Sequence, residues 1–203
     1  MAKADHKRLL KHLYSASRNK PVVVDVPEMS FLMIDGRGDP QASQHFQNAV
    51  AALYAVSYAL KFMLKNADPP LDFVVMPLEG LWWTEGAGEF RFDDRDQWRW
   101  TLMVMQPEPV TAGLFARAVE QVARKKDLPA LSEVRFESLH EGLSAQMLHV
   151  GPYSAEQATI STLHEFVREQ GRRLRGRHHE IYLSDPRRTA PERLKTILRH
   201  PIQ

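Results

Sequence analysis

The chain has 203 residues, a mass of 23.3 kDa, 43% hydrophobic residues and no cysteine. This length supports a substantial core, and the lack of cysteine excludes disulfide frameworks, thiolate metal sites and cysteine nucleophiles. Lys and Arg number 27 against 25 Asp and Glu, a surplus too small to indicate a nucleic-acid binder. No apolar run approaches the ~18–20 residues of a membrane span, and the charged N-terminus lacks a signal peptide's apolar core. We therefore expect a soluble cytoplasmic protein, with a monomer favoured and no membrane partner.

Hydrophobic periodicity and turn residues predict the elements of the first part of the chain. They are a short basic helix capped by Asp5 and ending near Tyr14, strands over 21–27 and 30–34, a helix of about 25 residues started by Asp39 and Pro40 and stopped by Pro69-Pro70, strand 73–78 followed by 79–83, a polar loop, and strand 97–105.

The same signals predict a helix capped by Thr111 and then a second series of elements. That series contains strands 134–139 and 145–150, a helix with a Ser154/Gln157 capping box that Gly171 closes, and strands 179–183 and 195–202.

The two series repeat one another. Each runs strand, strand, helix, strand, strand, and Glu79 and Glu180 occupy the same relative place after the long helices. A helix carried on two strands cannot cover both faces of a sheet. We therefore predict an α+β fold, a tandem pseudo-two-fold repeat of β-β-α-β-β units with antiparallel sheets flanking a central ligand cleft. The predicted parts of this one domain are about 20–107 for repeat one, about 111–127 for the linker helix and about 131–203 for repeat two.

Several catalytic and metal-binding motifs are excluded because the sequence lacks one of their required residues. Neither His140-Glu141 nor His164-Glu165 is followed by the second histidine of a zinc-protease helix. His178 and His179 are neighbours on a predicted strand, so they point to opposite faces and cannot chelate one ion together. The sequence therefore predicts neither a metal nor a cofactor.

Strand parity sorts the remaining acids and aromatic residues. Glu180 and Tyr182 share one strand face, and Ile181 is on the other, which suits packing beneath the helices. In the first half, Glu79 shares its face with Trp83, and Trp82 points away. Each half is therefore expected to offer one acid on a face that its own helix leaves open, and the two acids are expected to face each other across one groove.

A carboxylate in an aromatic, poorly hydrated groove has two chemical uses. Desolvation raises its pKa, so that it holds a proton at neutral pH and acts as an acid, or it stays charged and attracts a flat organic cation. Aromatic faces add ~0.5–2 kcal/mol per cation–π contact. The plain alternative is that these residues are surface acids and core tryptophans.

Long stretches of the chain resemble the GyrI-like small-molecule-binding proteins. The similarity covers nearly the whole chain and is of the stand-alone branch, which carries no DNA-binding domain. Five stretches carry it: Phe31–Pro40, Ala49–Tyr58, Met76–Trp83, His149–Tyr153 and His178–Arg187.

The resemblance implies an aromatic cleft for hydrophobic, often cationic, compounds. Some stand-alone members hydrolyse the strained cyclopropane of DNA-alkylating natural products. Carried over by motif, it makes Glu180 the acid of the cleft, with Tyr182 beside it and Glu79 as the counterpart from the first half. The ligand-binding residues that it implies are Trp82, Trp83, Tyr58, Tyr153 and His149, although strand parity conflicts with both tryptophans facing one ligand.

Three functions follow as hypotheses. The first is a cyclopropanoid cyclopropyl hydrolase, and the second is a module that binds, sequesters or senses hydrophobic or cationic aromatic molecules without changing them. The third, which the small charge surplus disfavours, is nucleic-acid or gyrase interaction through the loop Arg172–Arg177.

Overall fold

The structure is a computed structural model that describes residues 3–85 and 95–203. Most of the polar loop expected after Trp83 lies outside these residues. The helices are α1 His6–Leu9, α2 Lys11–Tyr14, α3 Gln44–Lys65, α4 Ala112–Ala123 and α5 Glu156–Glu169. The strands are β1 Val22–Val26, β2 Met29–Arg37, β3 Glu79–Thr84, β4 Trp98–Gln106, β5 Arg135–Leu139, β6 Gly142–Val150, β7 His178–Tyr182 and β8 Lys195–Pro201.

The eight strands form one sheet in the order β1-β6-β8-β7-β3-β4-β2-β5, and all neighbours are antiparallel. The strands of one half correspond to those of the other, β1 to β5, β2 to β6, β3 to β7 and β4 to β8. Reading the order backwards and exchanging corresponding strands gives the same order, so a pseudo-two-fold axis passes between β3 and β7. The first strand of each half pairs with the second strand of the other half, β1 with β6 and β5 with β2. The predicted α+β class is confirmed, with the strands of both halves joined in one continuous sheet.

The long helices lie on the same face of this sheet, which we call the helix face. Directly paired residues of antiparallel strands share a face, so the pairs Trp82–Trp100 and Gly80–Glu180 place these residues together. Helix α3 packs on this face through Phe46, whose ring centroid lies 6.4 Å from that of Trp82. Helix α5 packs on it through a cluster of apolar side chains from β6, β8 and α5: Ala145, Met147, Leu198, Ile160, Leu163 and Val167.

The N-terminal residues cover the opposite face, which we call the N-terminal face. Asp5 accepts a hydrogen bond from the backbone of Lys7, as predicted, and the chain turns through α1 into α2. Leu13 and Tyr14 at the end of α2 are buried against the sheet. Both faces of the central strands are therefore covered.

Helix α3 begins later than predicted. Asp39 accepts a hydrogen bond from the Gln41 backbone and pairs with Arg95, so it stabilises a turn and does not cap the helix. Ser43 is the cap, because its hydroxyl accepts from the Phe46 N–H at 3.1 Å. The helix has 22 residues against the predicted length of about 25, and its core-facing side is mostly apolar.

Two other predicted elements differ from the structure. Residues 73–78 form no strand, because only Phe73 makes a bridge, to Ala4, before β3 begins at Glu79. The Ser154/Gln157 capping box is also wrong. Residues Tyr153–Ala155 form a 3-10 turn, and α5 starts at Glu156 without a side-chain cap.

Candidate functional site

The centre of the helix face carries an acid enclosed by aromatic side chains. Glu180 is only 8% exposed, and its Oε2 accepts a hydrogen bond of 2.8 Å from the Tyr182 hydroxyl. The Tyr182 oxygen in turn accepts from Trp82 Nε1 at 3.1 Å. The alternation of β7 places Glu180 and Tyr182 on one face, and the pairing with β3 adds Trp82. We call Glu180, Tyr182, Trp82 and their neighbours His178, Tyr153 and Glu156 the Glu180 site.

Aromatic rings fix the position of Trp82. The indole packs near Phe46 of α3 and meets Trp98 of β4 edge to face, with ring centroids 5.7 Å apart. Gly80 leaves room for this arrangement, since a Cβ there would lie 2.8 Å from Trp82 Nε1. The Tyr182 hydroxyl therefore receives a rigidly held donor and directs its own proton to Glu180.

Histidines line the other side of Glu180. His178 Nε2 lies 3.3 Å from Glu180 Oε1. The ring of His178 is followed by His200 and then by His164 of α5, with centroid distances of 6.0 and 5.4 Å. Burial, followed by the neighbouring His178 and His164, lowers the pKa of His200 to about 3. His200 is therefore neutral, and it packs as a polar core side chain.

A second acid, Glu156, lies in the first turn of α5 and is 4% exposed. A helix N-terminus favours a negative charge there. Burial and then the charge of Glu180 outweigh that effect and raise the pKa of Glu156 to about 10. Two neighbouring carboxyl groups do not easily both ionise. One of them therefore keeps its proton and can donate it, and the other can accept a proton. The site therefore offers a Glu156 that keeps its proton at neutral pH, near the carboxyl group of Glu180.

Tyr153 forms the outer edge of the site. It is 37% exposed, and its ring meets that of Tyr182 edge to face at 5.8 Å. Burial, followed by the charges of Glu156 and Glu180, raises the pKa of Tyr153 to about 12. Its hydroxyl is therefore a donor at physiological pH, at the place where the site meets solvent.

His149 holds the segment that carries Tyr153 and Glu156. Its Nε2 lies 3.2 Å from the Pro152 carbonyl, and its Nδ1 lies 2.9 Å from the Thr159 hydroxyl. Burial lowers its pKa, which favours the neutral ring. A carbonyl only accepts, so Nε2 carries the proton and Nδ1 accepts from Thr159. His149 thus fastens β6 to the start of α5.

A closed network of charges lies behind this site on the N-terminal face. Glu79 is fully buried and accepts from the Tyr14 hydroxyl at 2.8 Å. Its Oε2 lies 3.0 Å from Nε2 of His179, whose Nδ1 lies 3.0 Å from both oxygens of Glu141. Arg199 donates to Glu141, to Gln146 and to the Leu13 carbonyl. We call these residues the Glu79 network.

The pKa directions follow from this pairing. Burial alone would raise the pKa of Glu141, but the positive charges of His179 and Arg199 lower it to about 2. Burial alone would lower the pKa of His179, but Glu141 and Glu79 raise it to about 9. His179 is therefore held in its charged form, and it lies with the Arg199 guanidinium against the carboxyl groups of Glu141 and Glu79.

The whole of this architecture is found in a known protein family. Residues 19–203 match the GyrI-like small molecule binding domain. The chain belongs to the GyrI-like family. A search of curated proteins found no match.

Solved structures of this family superpose on the whole chain. An uncharacterized conserved protein from Listeria innocua is 44% identical, with a TM-score of 0.90, over 99% of this chain and 100% of its own. A hydrolase from the same organism is 41% identical, with a TM-score of 0.87, over the same shares of the two chains. The C-terminal domain of EcmrR shares only the fold, at 13% identity and a TM-score of 0.59 over 91% of this chain and 97% of its own.

Three residues that the GyrI-like resemblance assigned to the cleft lie elsewhere. Glu79 pairs with Ile181 and not with Glu180, so the two acids lie on opposite faces, and the expectation that they face one groove is wrong. Trp83 also lies on the N-terminal face, where the Arg177 guanidinium stacks 3.6 Å from its ring centroid. Tyr58 is 49% exposed on the outer side of α3.

The expected covering of the sheet is corrected in the same way. Ile181 was expected beneath the helices and Glu180 on the open face. The structure places Glu180, Tyr182 and Trp82 on the helix face, between α3 and α5. The parity argument grouped Glu180 with Tyr182 correctly, because it requires only the alternation of one strand.

Sequence reasoning missed Glu156, Tyr14, Glu141 and Arg199. Glu156 lies between Ser154 and Gln157, the two residues of the predicted capping box, and Glu141 was considered as part of a zinc-protease motif that the sequence excludes. Arg199 had one available signal, since it follows the apolar pair Ile197-Leu198 and alternates with Leu198 and His200 along the strand. Within residues 3–85 and 95–203, no group of three or more His, Asp or Glu side chains is arranged to hold a metal ion, and no helix is long and apolar enough to cross a membrane.

Proposed function

We propose that the protein binds planar hydrophobic molecules at the Glu180 site and hydrolyses a strained cyclopropane in DNA-alkylating toxins. The observation that carries the proposal is the pair of buried carboxyl groups, Glu156 and Glu180, which are 4% and 8% exposed, with aromatic rings around Glu180. The full-length likeness to a Listeria innocua hydrolase at 41% identity supports turnover as well as binding.

The aromatic residues supply the affinity. A planar guest that enters past Tyr153 meets the rings of Tyr182 and Trp82, which offer stacking and exclude water. A cationic guest gains further from the charge of Glu180 and from the aromatic faces. The substrate class is therefore a flat, uncharged or cationic aromatic molecule.

The two acids divide the chemistry. In a spirocyclopropyl dienone, Glu180 takes a proton from a water molecule as the water oxygen bonds to the cyclopropyl CH₂ carbon. The ring C–C bond breaks, and its electron pair flows through the conjugated ring to the carbonyl oxygen, which takes the proton of Glu156. The products are an alcohol and a phenol, and one water is consumed. Proton transfer from Glu180 back to Glu156 restores the starting state.

Tyr182 is a positioning residue in this scheme. Its hydroxyl donates to Glu180 Oε2, which leaves Oε1 toward His178 and the water to be activated. Glu79, which the resemblance made a catalytic residue, lies across the sheet and contacts no atom of the proposed reaction. In this scheme Glu156, and not Glu79, is the second catalytic carboxyl group.

The test is incubation with a spirocyclopropyl-dienone alkylator, followed by mass spectrometry for the water adduct. We expect turnover above the spontaneous rate, with Glu180→Gln and Glu156→Gln each about 10²–10⁴-fold slower. Glu165→Gln, an exposed acid on the same helix α5, is the matched control and should retain full activity.

Binding is measured separately by quenching of tryptophan fluorescence. Retained binding with lost turnover in Glu180→Gln supports the catalytic assignment. A wild-type protein that binds the compound but returns it unchanged refutes hydrolysis and leaves a sequestering module. No saturable binding at all refutes the site itself.

A further inference from the structure

A concave surface lies between α3 and α4, outside the Glu180 site. It is a groove of about 470 Å³ lined by ten residues, eight in these two helices and two just after the end of α4. Its floor contains Ala51, Ala55 and Ala59, which recur every four residues of α3 and let the two helices leave open space between them. We call it the α3/α4 groove.

One wall of the groove is a ladder of aromatic rings. Tyr54, Tyr58 and Phe62 follow one another along α3, with successive ring centroids 6.5 Å apart. Tyr58 is 49% and Phe62 51% exposed, which places large apolar surface in water. Contiguous exposed apolar surface that is also concave is typical of a binding site.

The opposite wall is basic at one end. It is formed by Gln121 and Val122 of α4 and by Lys125 and Lys126, which follow the end of that helix. None of the ten lining residues is acidic. The α3/α4 groove is thus electrostatically opposite to the Glu180 site, whose polar residues include two carboxyl groups.

We propose that the α3/α4 groove is a second binding site, specific for a small organic anion with an aromatic or aliphatic body. The apolar body lies on the alanine floor against Tyr58 and Phe62, and the carboxylate or sulfonate lies at Lys125 and Lys126. Its volume falls within the range of small-molecule sites, about 300–1,000 Å³. The charge excludes the cationic molecules that the Glu180 site attracts, so the two sites take different ligands.

The test compares two fluorescent probes with similar aromatic bodies. 8-Anilinonaphthalene-1-sulfonate carries the anion, and N-phenyl-1-naphthylamine lacks it. We expect the sulfonate probe to bind saturably with one high-affinity site per chain. The double variant Lys125→Gln/Lys126→Gln should weaken its binding about tenfold and leave the neutral probe unaffected.

Filling the groove tests the location. Ala55→Trp should abolish binding of the sulfonate probe, and Ala51→Phe, at a more exposed position, provides the same test with less risk to folding. Arg172→Gln/Arg173→Gln removes the same charge outside the groove and should change nothing. Glu180→Gln should also leave the sulfonate probe bound, which separates this proposal from the proposed hydrolase.

The outcomes are decisive. Equal binding of the sulfonate probe to the lysine double variant and to the arginine double variant overturns the charge assignment. Unchanged binding to folded Ala55→Trp and Ala51→Phe overturns the location. Absence of saturable binding to the wild-type protein overturns the site.

Discussion

His179 and Glu180 are consecutive residues of β7, yet one belongs to a closed ion network and the other to an aromatic binding site. His179 is fully buried among the carboxylates of Glu79 and Glu141 on the N-terminal face. Glu180 lies between α3 and α5 on the helix face. The network therefore fixes the strand that presents the proposed catalytic acid, although it touches no part of the site.

The Glu79 network predicts a large stability loss for Glu141→Gln. The substitution removes the charge that compensates buried Arg199 and His179, and breaking such a pair costs about 3–5 kcal/mol. Urea denaturation measures the free energy of unfolding. Asp185→Asn is the control, since the pair of Asp185 with Arg187 is solvent-exposed and should contribute nothing measurable. An equal loss in both variants contradicts the prediction.

The raised pKa values of His179 and Glu156 predict that stability declines as the pH rises. The pKa of His179 is near 9 in the folded protein and 6.5 in the unfolded chain. Its contribution to stability is therefore complete below pH 6.5 and is lost as the pH rises through 9. Glu156 has a pKa near 10 against 4.5, so folding disfavours its ionised form, and stability is lost between these values. Both slopes are negative between pH 6.5 and 9.

Glu156→Gln should make this decline less steep. Each group changes the free energy of unfolding by about 1.4 kcal/mol per pH unit. This applies over the pH range in which the group is protonated in one of the two states, folded or unfolded, and deprotonated in the other. The variant keeps the His179 contribution alone, so its slope between pH 6.5 and 9 should be about half that of the wild type. Urea denaturation at a series of pH values measures the slopes, with Glu165→Gln as the control. Identical slopes in the wild type and Glu156→Gln would refute the pKa assignment.

Gly80→Ala should damage the Glu180 site without removing any of its functional groups. The new Cβ would lie 2.8 Å from Trp82 Nε1 and 3.2 Å from the Tyr182 oxygen, so the indole must move and its hydrogen bond is lost. We expect affinity for a cationic rhodamine dye to fall about tenfold, since one such bond is worth about 1 kcal/mol and the stacking surface moves with it. Fluorescence titration measures it.

Gly113→Ala is the matched glycine variant. Its Cβ would meet no atom nearer than 3.9 Å, and the residue lies in α4, where alanine is the better helix former. Dye affinity should be unchanged and stability slightly higher. If the Gly80→Ala and Gly113→Ala variants bind the dye equally tightly, the close packing of the Trp82 indole against Gly80 does not matter for binding.

Much of the architecture is readable from local pattern. The apolar side of α3, the Thr111 cap of α4 and the alternation of β7 are short-range properties, and the structure contains all three. The errors have local causes too. Asp39 and Ser43 are both good caps four residues apart, and the choice between them depends on Arg95, which is distant in sequence.

The site was less predictable because it depends on register between strands. Glu79 and Glu180 occupy similar places in the chain, but β3 and β7 pair so that Gly80 and not Glu79 is opposite Glu180. A register shift of one residue exchanges the faces, and nothing in either strand alone sets it. Glu156 likewise becomes part of the site only because α5 packs against β6 and β8.

The exchange of strands between the halves also constrains how the molecule is made. Val22–Val26 finds its hydrogen-bonding partner in Gly142–Gln146, more than a hundred residues later in the chain. A ribosome therefore has to complete most of the protein before the earliest strand can dock, and a nascent first half must keep that strand from aggregating in the meantime. Slow, late closure of the sheet is the kinetic signature that this topology imposes.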